Sequence, residues 1–246
     1  MNHIYIGIDY SLKSPAICIL KDKKYKFISH PKKLEKKDLK RQEDVQCLKD
    51  VDLVFQNDQL VEATYSRNEF AKISHYREQA LAILDFITSN LTNSELKQST
   101  IHIGFEGYSF GSQSNNLIDI IGATTALKTL ILEKDIFKKF TLDVYSPKAI
   151  KKLAGYGSYD KADLFDVFIG EYRFIKEKYK ERIEKDKKGN FRLDYHDEML
   201  CGDFHKHCLN LELSRNVKKV KIPKPIDDLV DSYFIARCLW ESYPES

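Results

Sequence analysis

Apolar residues alternate with small or polar ones at the start of the chain. Ile4, Ile6 and Ile8 occupy every second position of the first segment, which is the period of a β-strand with one buried face. The same pattern and the turn residues between the runs predict three strands, at residues 3–10, 15–20 and 24–29. Because their connections are short, we expect an antiparallel meander.

The rest of the chain alternates helical and strand patterns. Ile73, Ala80, Leu84 and Ile87 follow helical spacing and predict a long amphipathic helix over residues 69–91. Pro147 is compatible with the first turn of a short helix. The further predictions are strands at 101–106 and 140–145 and helices at 116–133, about 160–181 and 226–240. Five strands interspersed with helices predict an α/β protein with a mixed sheet flanked by helices.

Length and composition limit the class of protein. The 246 residues are 42% hydrophobic, enough for the core of one domain, and we predict a single domain over 1–246 with charged insertions at about 30–68 and 172–224. With 40 Lys and Arg against 37 Asp and Glu, a uniformly basic nucleic-acid-binding surface is excluded. No apolar stretch is long enough for a membrane span. Five scattered cysteines and the lack of a secretory signal pattern predict a cytoplasmic protein, in a cell or an infected host.

Four Asp and Glu residues are candidates for a catalytic site because of their positions in the predicted elements. Asp9 and Glu106 each end a predicted strand, and if these strands are parallel neighbours, both side chains emerge at one sheet edge. Asp228 and Asp231 lie three residues apart on the last predicted helix and therefore share a face. Each residue alone fits a turn, a cap or a solvated helix face, but the apolar residues that follow Asp231 indicate a buried helix.

Carboxylates so close together require a cation. At about 4 Å and an effective dielectric constant near 20, each pair repels by about 4 kcal/mol. An all-oxygen set favours Mg²⁺ or Mn²⁺ over zinc. Two such ions would activate water on one side of a phosphodiester and stabilise the leaving oxygen on the other, so the pattern predicts phosphodiester hydrolysis.

Four sequence blocks resemble the RuvC family of Holliday junction resolvases, which have the ribonuclease H-like fold. They occur in the family's order and, with the predicted helix at 116–133, cover a little over half of the chain. The two insertions make the chain more similar to the resolvase-like proteins of large phages and viruses. The blocks are IGIDYSLKSPAICIL (6–20), FEGYSFGS (105–112), YSPKAIKKLAGYGSYDKADL (145–164) and IDDLVDSYFIA (226–236).

The resemblance implies roles for individual residues. Asp9, Glu106, Asp228 and Asp231 are implied to be the catalytic metal ligands, with Asp227 as an alternative to Asp228. Lys151 and Lys161 are implied to be the two active-site basic residues, whose ammonium groups would offset phosphate charge. The family's aromatic residue after the catalytic Glu corresponds to either Tyr108 or Phe110. Further candidate DNA contacts are Lys148, Lys152, Lys218, Lys219 and Lys221.

The insertions contain two lysine-rich runs and a group of Cys and His residues, and each of these features has two interpretations. A lysine-rich run at 32–41 and another at 215–224 could bind phosphates, although solvated faces have the same composition. Cys201, His205 and Cys208 would share one face of a helix and could bind zinc, but their spacing matches no common zinc finger and also suits a packing helix.

The main functional hypothesis is a Mg²⁺-dependent endonuclease that cleaves four-way DNA junctions as a homodimer, with the 116–133 helix as the dimer contact implied by the resemblance. One alternative is a ribonuclease H-like nuclease acting on forks, flaps or RNA–DNA hybrids. Another is a non-catalytic DNA-binding protein. An actin-like sugar kinase also begins with a Gly-Ile-Asp strand, but it needs two such domains.

Overall fold

The computed structural model describes the sheet, the helices packed on it and short parts of the two predicted insertions. These are residues 2–12, 14–22, 24–30, 51–53, 69–108, 116–155, 157–161, 163–165, 167–168, 183–185, 191–193 and 226–244.

Six strands form one mixed sheet in the order β4-β3-β2-β1-β5-β6. The strand β2 is antiparallel to both of its neighbours, whereas β1, β5 and β6 are parallel to one another. The strands are β1 (His3–Asp9), β2 (Ala16–Lys21), β3 (Lys24–Ser29), β4 (Val51–Leu53), β5 (Thr100–Glu106) and β6 (Phe140–Tyr145). Two short strands, β7 (Ile183–Lys185) and β8 (Phe191–Leu193), pair with each other in a separate antiparallel sheet.

Within the described ranges, the helices that accompany the sheet include α1 (Glu69–Ser89), α2 (Asn93–Gln98), α3 (Asn116–Glu133), α4 (Pro147–Ala154) and α5 (Ile226–Ser242). Pro147 occupies the first turn of α4, and the hydroxyl of Ser146 accepts a hydrogen bond from the N–H of Ala149, so this helix begins as predicted. Residues 161, 163–165 and 167–168 are also helical, and the remainder of the helix predicted over 160–181 lies outside the described residues.

This arrangement confirms the predicted α/β class with a mixed sheet flanked by helices. The meander of β1, β2 and β3 and the helix at 116–133 are also as predicted. Among the elements that were not predicted, β4 lies within the supposed first insertion and extends the sheet by pairing in parallel with β3.

The two faces of the sheet bury different helices. Alternate residues of β1 and β5, such as Ile6 and Ile103, pack on one face against α1 and α3. On the other face α5 lies directly on β1, because Gly7 has no side chain: a Cβ there would be 2.1 Å from the carbonyl oxygen of Ser232 and 2.5 Å from the backbone nitrogen of Ala236. The close approach places the beginning of α5 beside the carboxyl end of β1.

The far end of α5 is held by a polar aromatic cluster. The ring of His102 stacks on Tyr243, with centroids 4.3 Å apart, and its Nε2 is 2.9 Å from Nδ1 of His3. The hydroxyl of Tyr5 donates a 2.6 Å hydrogen bond to the carbonyl of Tyr243, and the hydroxyl of Tyr243 donates to Asp143. Burial, followed by the proximity of His3, lowers the pKa of His102 to about 4.

None of the described helices is long and apolar enough to cross a membrane.

Candidate active site

The sheet brings two strand-terminal carboxylates to one edge. The parallel pairing of β1 with β5 places Ile8 opposite Phe105, so Asp9 and Glu106 follow at the carboxyl ends of adjacent strands. Asp9 is only 8% exposed. Both side chains lie on the α5 side of the sheet, since they share the alternation of Gly7 and Gly104, which contact that helix.

The first turns of α5 add Asp228 and Asp231 to this edge. Burial raises the pKa of Asp9 well above its ordinary value, and the charges of Asp228, Asp231 and Glu106, in that order, raise it further. Burial, followed by the charge of Asp231, raises the pKa of Glu106 to about 7. The mutual effects mean that four carboxylates from three separate segments of the chain form one electrostatic cluster.

Two lysines neutralise part of this charge. The ammonium of Lys161 is 3.0 Å from Oδ2 of Asp227 and 3.3 Å from Oδ2 of Asp231. Burial alone would lower the pKa of Lys161, but the charges of Asp231 and Asp227 raise it above its ordinary value. Lys151, on α4, lowers the pKa of Glu106 and therefore also lies near the cluster. The structure thus brings both predicted basic residues to the carboxylates.

Asp227 and Asp228 occupy different environments. Asp228 is 2% exposed, and its charge acts on Asp9 more strongly than that of any other carboxylate. Asp227 pairs with Lys161, and its Oδ1 accepts a 2.9 Å hydrogen bond from the N–H of Asp228. The geometry therefore favours Asp228 over Asp227 as the partner of Asp9.

Ser14 is a site residue that the sequence did not indicate. Its hydroxyl donates a short hydrogen bond to Oδ2 of Asp228, and both side chains are buried. The N–H of Ser14 in turn donates a 3.0 Å hydrogen bond to the hydroxyl of Ser11. The loop after β1 therefore fixes one oxygen of Asp228. Serines are common in loops, so only their position between Asp9 and the next strand could have suggested this role.

The donor chemistry of the cluster fits a hard divalent cation. Four carboxylates supply oxygen ligands, and the pKa values of Asp9, Glu106 and Asp231 are raised, first by burial and then by neighbouring carboxylates. Within the described residues, however, no three His, Cys, Asp or Glu side chains are already arranged as a metal site. Asp9, Glu106, Asp228 and Asp231 are the residues that would hold such an ion, and the ammonium of Lys161 contacts one of them, Asp231.

Only some of the other predicted DNA-binding and metal-binding residues lie within the described ranges. Tyr108 is half-exposed two residues beyond Glu106, and Lys148 and Lys152 are exposed on α4. Several predicted positions lie outside the described residues: Phe110, the lysine runs at 32–41 and 215–224 with Lys218, Lys219 and Lys221, and the candidate zinc ligands Cys201, His205 and Cys208.

No protein family model matches the chain, and no curated protein does. Solved structures that are similar to it include the following three. RuvC from Thermus thermophilus has 10% identity and a TM-score of 0.43, with 97% of this chain and 95% of that chain covered. T. thermophilus RuvC in complex with a Holliday junction substrate has 8% identity and a TM-score of 0.43, covering 98% and 95%. The yeast mitochondrial Holliday junction resolvase Ydc2 has 15% identity and a TM-score of 0.44, covering 97% and 80%. The chemistry proposed below therefore rests on the site itself.

Proposed function

We propose that this protein is a metal-dependent endonuclease that hydrolyses phosphodiesters in branched DNA, such as four-way junctions. The observation that carries the nuclease chemistry is the convergence of Asp9, Glu106, Asp228 and Asp231 at one sheet edge, where the pKa values of Asp9, Glu106 and Asp231 are raised. The choice of branched DNA comes from the resemblance of the four sequence blocks to junction resolvases.

The carboxylates would hold two Mg²⁺ or Mn²⁺ ions, Asp9 with one acidic residue of α5 and Glu106 with the other. When bound, such ions activate water and stabilise the leaving 3′-oxygen. The ammonium groups of Lys161 and Lys151 bind the scissile phosphate and offset the charge that develops on it. Asp9 and Asp228 are buried away from bulk water, which strengthens the interactions of these two carboxylates.

A homodimer is part of the proposal, because symmetric cleavage of a junction requires two sites related by the same symmetry. An apolar surface on α1 and α3 supports it. Phe70 is 84% exposed, Ile73 60% and Ile118 57%, and Ile73 and Ile118 line the same groove between the two helices. Buried in a dimer, these side chains would leave water. We expect light scattering to show a dimer that the change Ile118→Lys converts to a monomer.

One cleavage experiment tests the nuclease proposal. Labelled four-way junction, fork, flap, linear duplex and RNA–DNA hybrid are incubated with the protein in Mg²⁺ or in EDTA. We expect cleavage of the junction in Mg²⁺ only. Asp9→Asn should abolish cleavage and retain junction binding, whereas Asp135→Asn, at a position 76% exposed, should behave as the wild type.

The same experiment separates the alternatives. Preferred cleavage of hybrid, fork or flap would replace junction resolution with another ribonuclease H-like activity. Binding of junctions without cleavage under any divalent metal would indicate a DNA-binding protein. Cleavage by the Asp9→Asn variant at the wild-type rate would remove the assignment of the site.

A further inference from the structure

Tyr10 follows Asp9 directly, and its side chain lies on the opposite face of the sheet. The last residue pair between β1 and β2 joins Asp9 to Ala16, so Tyr10 lies just beyond the end of the strand. Its ring packs with Ile8 in the apolar core that α1 and α3 cover. The side chain of Tyr10 therefore anchors the chain immediately after a proposed metal ligand.

The hydroxyl of Tyr10 is held by Gln79 of α1. It donates a 3.1 Å hydrogen bond to Oε1 of Gln79, and both side chains are buried. Gln79 lies three residues after Tyr76, whose hydroxyl donates a 2.5 Å hydrogen bond to Asp119 of α3. Because α1 is joined to α3 at this point, Gln79 provides a fixed acceptor for Tyr10.

The hydrogen-bonded pair of Tyr10 and Gln79 has a cost that an apolar pair would avoid. Among the described residues, Nε2 of Gln79 is buried without a hydrogen-bond partner. A buried amide that is only partly satisfied destabilises a fold, whereas two apolar side chains of similar shape fill the same space without this penalty. Stability therefore does not account for the pair. What the hydrogen bond adds is a preferred direction, which apolar contact lacks.

A second hydrogen bond holds the same loop from the other face of the sheet. The hydroxyl of Ser14 donates to the buried carboxylate of Asp228 on α5. The loop is thus connected to α1 at Tyr10 and to α5 at Ser14. Asp9 lies directly before the first of these contacts, and Asp228 takes part in the second. The charge of Asp228 acts on Asp9 more strongly than that of any other carboxylate.

We propose that Gln79 is a positioning residue for Asp9, which it holds toward Asp228 in the metal-free protein through the hydroxyl of Tyr10. The inference rests on the proposed function and extends it to α1, a helix that carries none of the candidate ligands. Groups that orient metal ligands from outside the ligand set typically change metal affinity by about tenfold or more when they are removed.

A double-mutant cycle separates positioning from packing. Mn²⁺ affinity and melting temperature are measured for the wild type, Tyr10→Phe, Gln79→Met and the double variant. Each single change leaves a buried polar group without its partner, so both variants should melt at a lower temperature and bind Mn²⁺ about tenfold more weakly. The double variant retains neither polar group, so its melting temperature should return toward that of the wild type. Its Mn²⁺ affinity should stay about tenfold lower.

Two control variants accompany the cycle. Gln98→Met removes an exposed amide that accepts a hydrogen bond from Ser94, and it should change neither property. Tyr243→Phe removes a hydroxyl that donates to Asp143 near the opposite end of α5, so it should lower the melting temperature and leave Mn²⁺ affinity unchanged. If the double variant also melts early, Tyr243→Phe still separates a general loss of stability from a loss of metal affinity.

A measurement in EDTA tests the contact without a metal ion. The N–H of Ser14 donates a 3.0 Å hydrogen bond to the hydroxyl of Ser11, inside the loop that Tyr10 begins. Hydrogen exchange of this N–H should be faster in the double variant than in the wild type, because the start of the loop is no longer connected to α1. Exchange in Gln98→Met should equal that of the wild type.

Two results would overturn the inference. In the first, Mn²⁺ affinity returns to the wild-type value in the double variant together with the melting temperature, so that the pair contributes packing alone. In the second, exchange of the Ser14 N–H is the same in the double variant and the wild type. Failure of the wild type to bind Mn²⁺ would instead remove the proposed metal-dependent nuclease, and with it the role of Gln79 in metal binding, whatever the exchange rates are.

Discussion

The ammonium of Lys161 lies 3.3 Å from Oδ2 of Asp231, inside the carboxylate cluster at the carboxyl end of β1. Lys161 is therefore a cation of the chain itself in direct contact with a group of acids that repel one another. A bound metal ion would compete with this ammonium for Asp231, whereas a bound phosphate would attract it. Lys161 is therefore positioned to release the carboxylate of Asp231 and to contact the phosphate of the substrate instead.

The exchange predicts opposite effects of Lys161→Met on two measurements. Mn²⁺ should bind more tightly by calorimetry, because the competing cation is gone. Junction cleavage should fall by about 100-fold or more, because the transition state loses a charge that stabilises it. Lys138→Met, which removes a lysine paired with Asp135 on the surface, is the control for both measurements. Weaker Mn²⁺ binding by Lys161→Met would contradict competition between the two cations.

The neighbouring acids of α5 should differ in importance. Asp228→Asn should reduce cleavage to background, since this buried carboxylate is coupled to Asp9. Asp227→Asn should lower the rate only about tenfold, as expected for a residue that orients Lys161 from outside the ligand set. Rates measured under single-turnover conditions provide the comparison, and the reverse ranking would make Asp227 the ligand.

Ser14 should contribute both stability and metal affinity through Asp228. Ser14→Ala removes the hydroxyl that donates to a buried carboxylate, so we expect a loss of about 2 kcal/mol in the free energy of unfolding and weaker Mn²⁺ binding. Ser14→Thr should restore both, since it keeps the donor. Ser89→Ala, which removes an exposed hydroxyl on α1, is the matched control. If the Ala variant binds Mn²⁺ as the wild type does, Ser14 has no positioning role.

The metal-free protein should lose stability as pH rises through the range in which Glu106 titrates. Its folded pKa of about 7 exceeds the ordinary value of 4.5, so the folded state binds more protons between these values than the unfolded chain does. The free energy of unfolding in EDTA should therefore fall from about pH 4.5 to about pH 7, and Glu106→Gln should remove this contribution.

His102 acts in the opposite direction, because its folded pKa of about 4 lies below the ordinary 6.5. The quantity to compare is therefore the difference in unfolding free energy between wild type and Glu106→Gln, measured by urea denaturation at several pH values. This difference should decrease steadily with rising pH. A constant or rising difference would show that Glu106 ionises normally in the folded state.

Much of the fold could be predicted from the sequence because its long elements have strong periodicity. The helix at 116–133 and the strand at 140–145 have the predicted bounds. The strand β4 (Val51–Leu53) was missed, since three residues show no period and their pairing depends on the free edge of β3. The short helix α2 was also missed, although Thr92 and Glu95 form a capping box whose spacing is visible in the sequence.

The features of the candidate site also fall into those that the sequence pattern indicated and those that it did not. Asp9 and Glu106 were identified because a strand end positions them, and the sheet topology then brings those ends together. The hydrogen bonds from Ser14 to Asp228 and from Tyr10 to Gln79 could not be predicted, because they join segments 214 and 69 residues apart through tertiary packing. Contacts of this kind leave no periodic pattern in the sequence.

The close contact between β1 and α5 makes the structure sensitive to substitution at Gly7. A single methyl group added there would meet backbone atoms of Ser232 and Ala236, so α5 would have to move away from β1. Asp231 travels with that helix, whereas Asp9 stays with the strand. A substitution at Gly7 introduces no charge and contacts none of the four carboxylates. It would nevertheless separate the carboxylates of the cluster at the edge of the sheet.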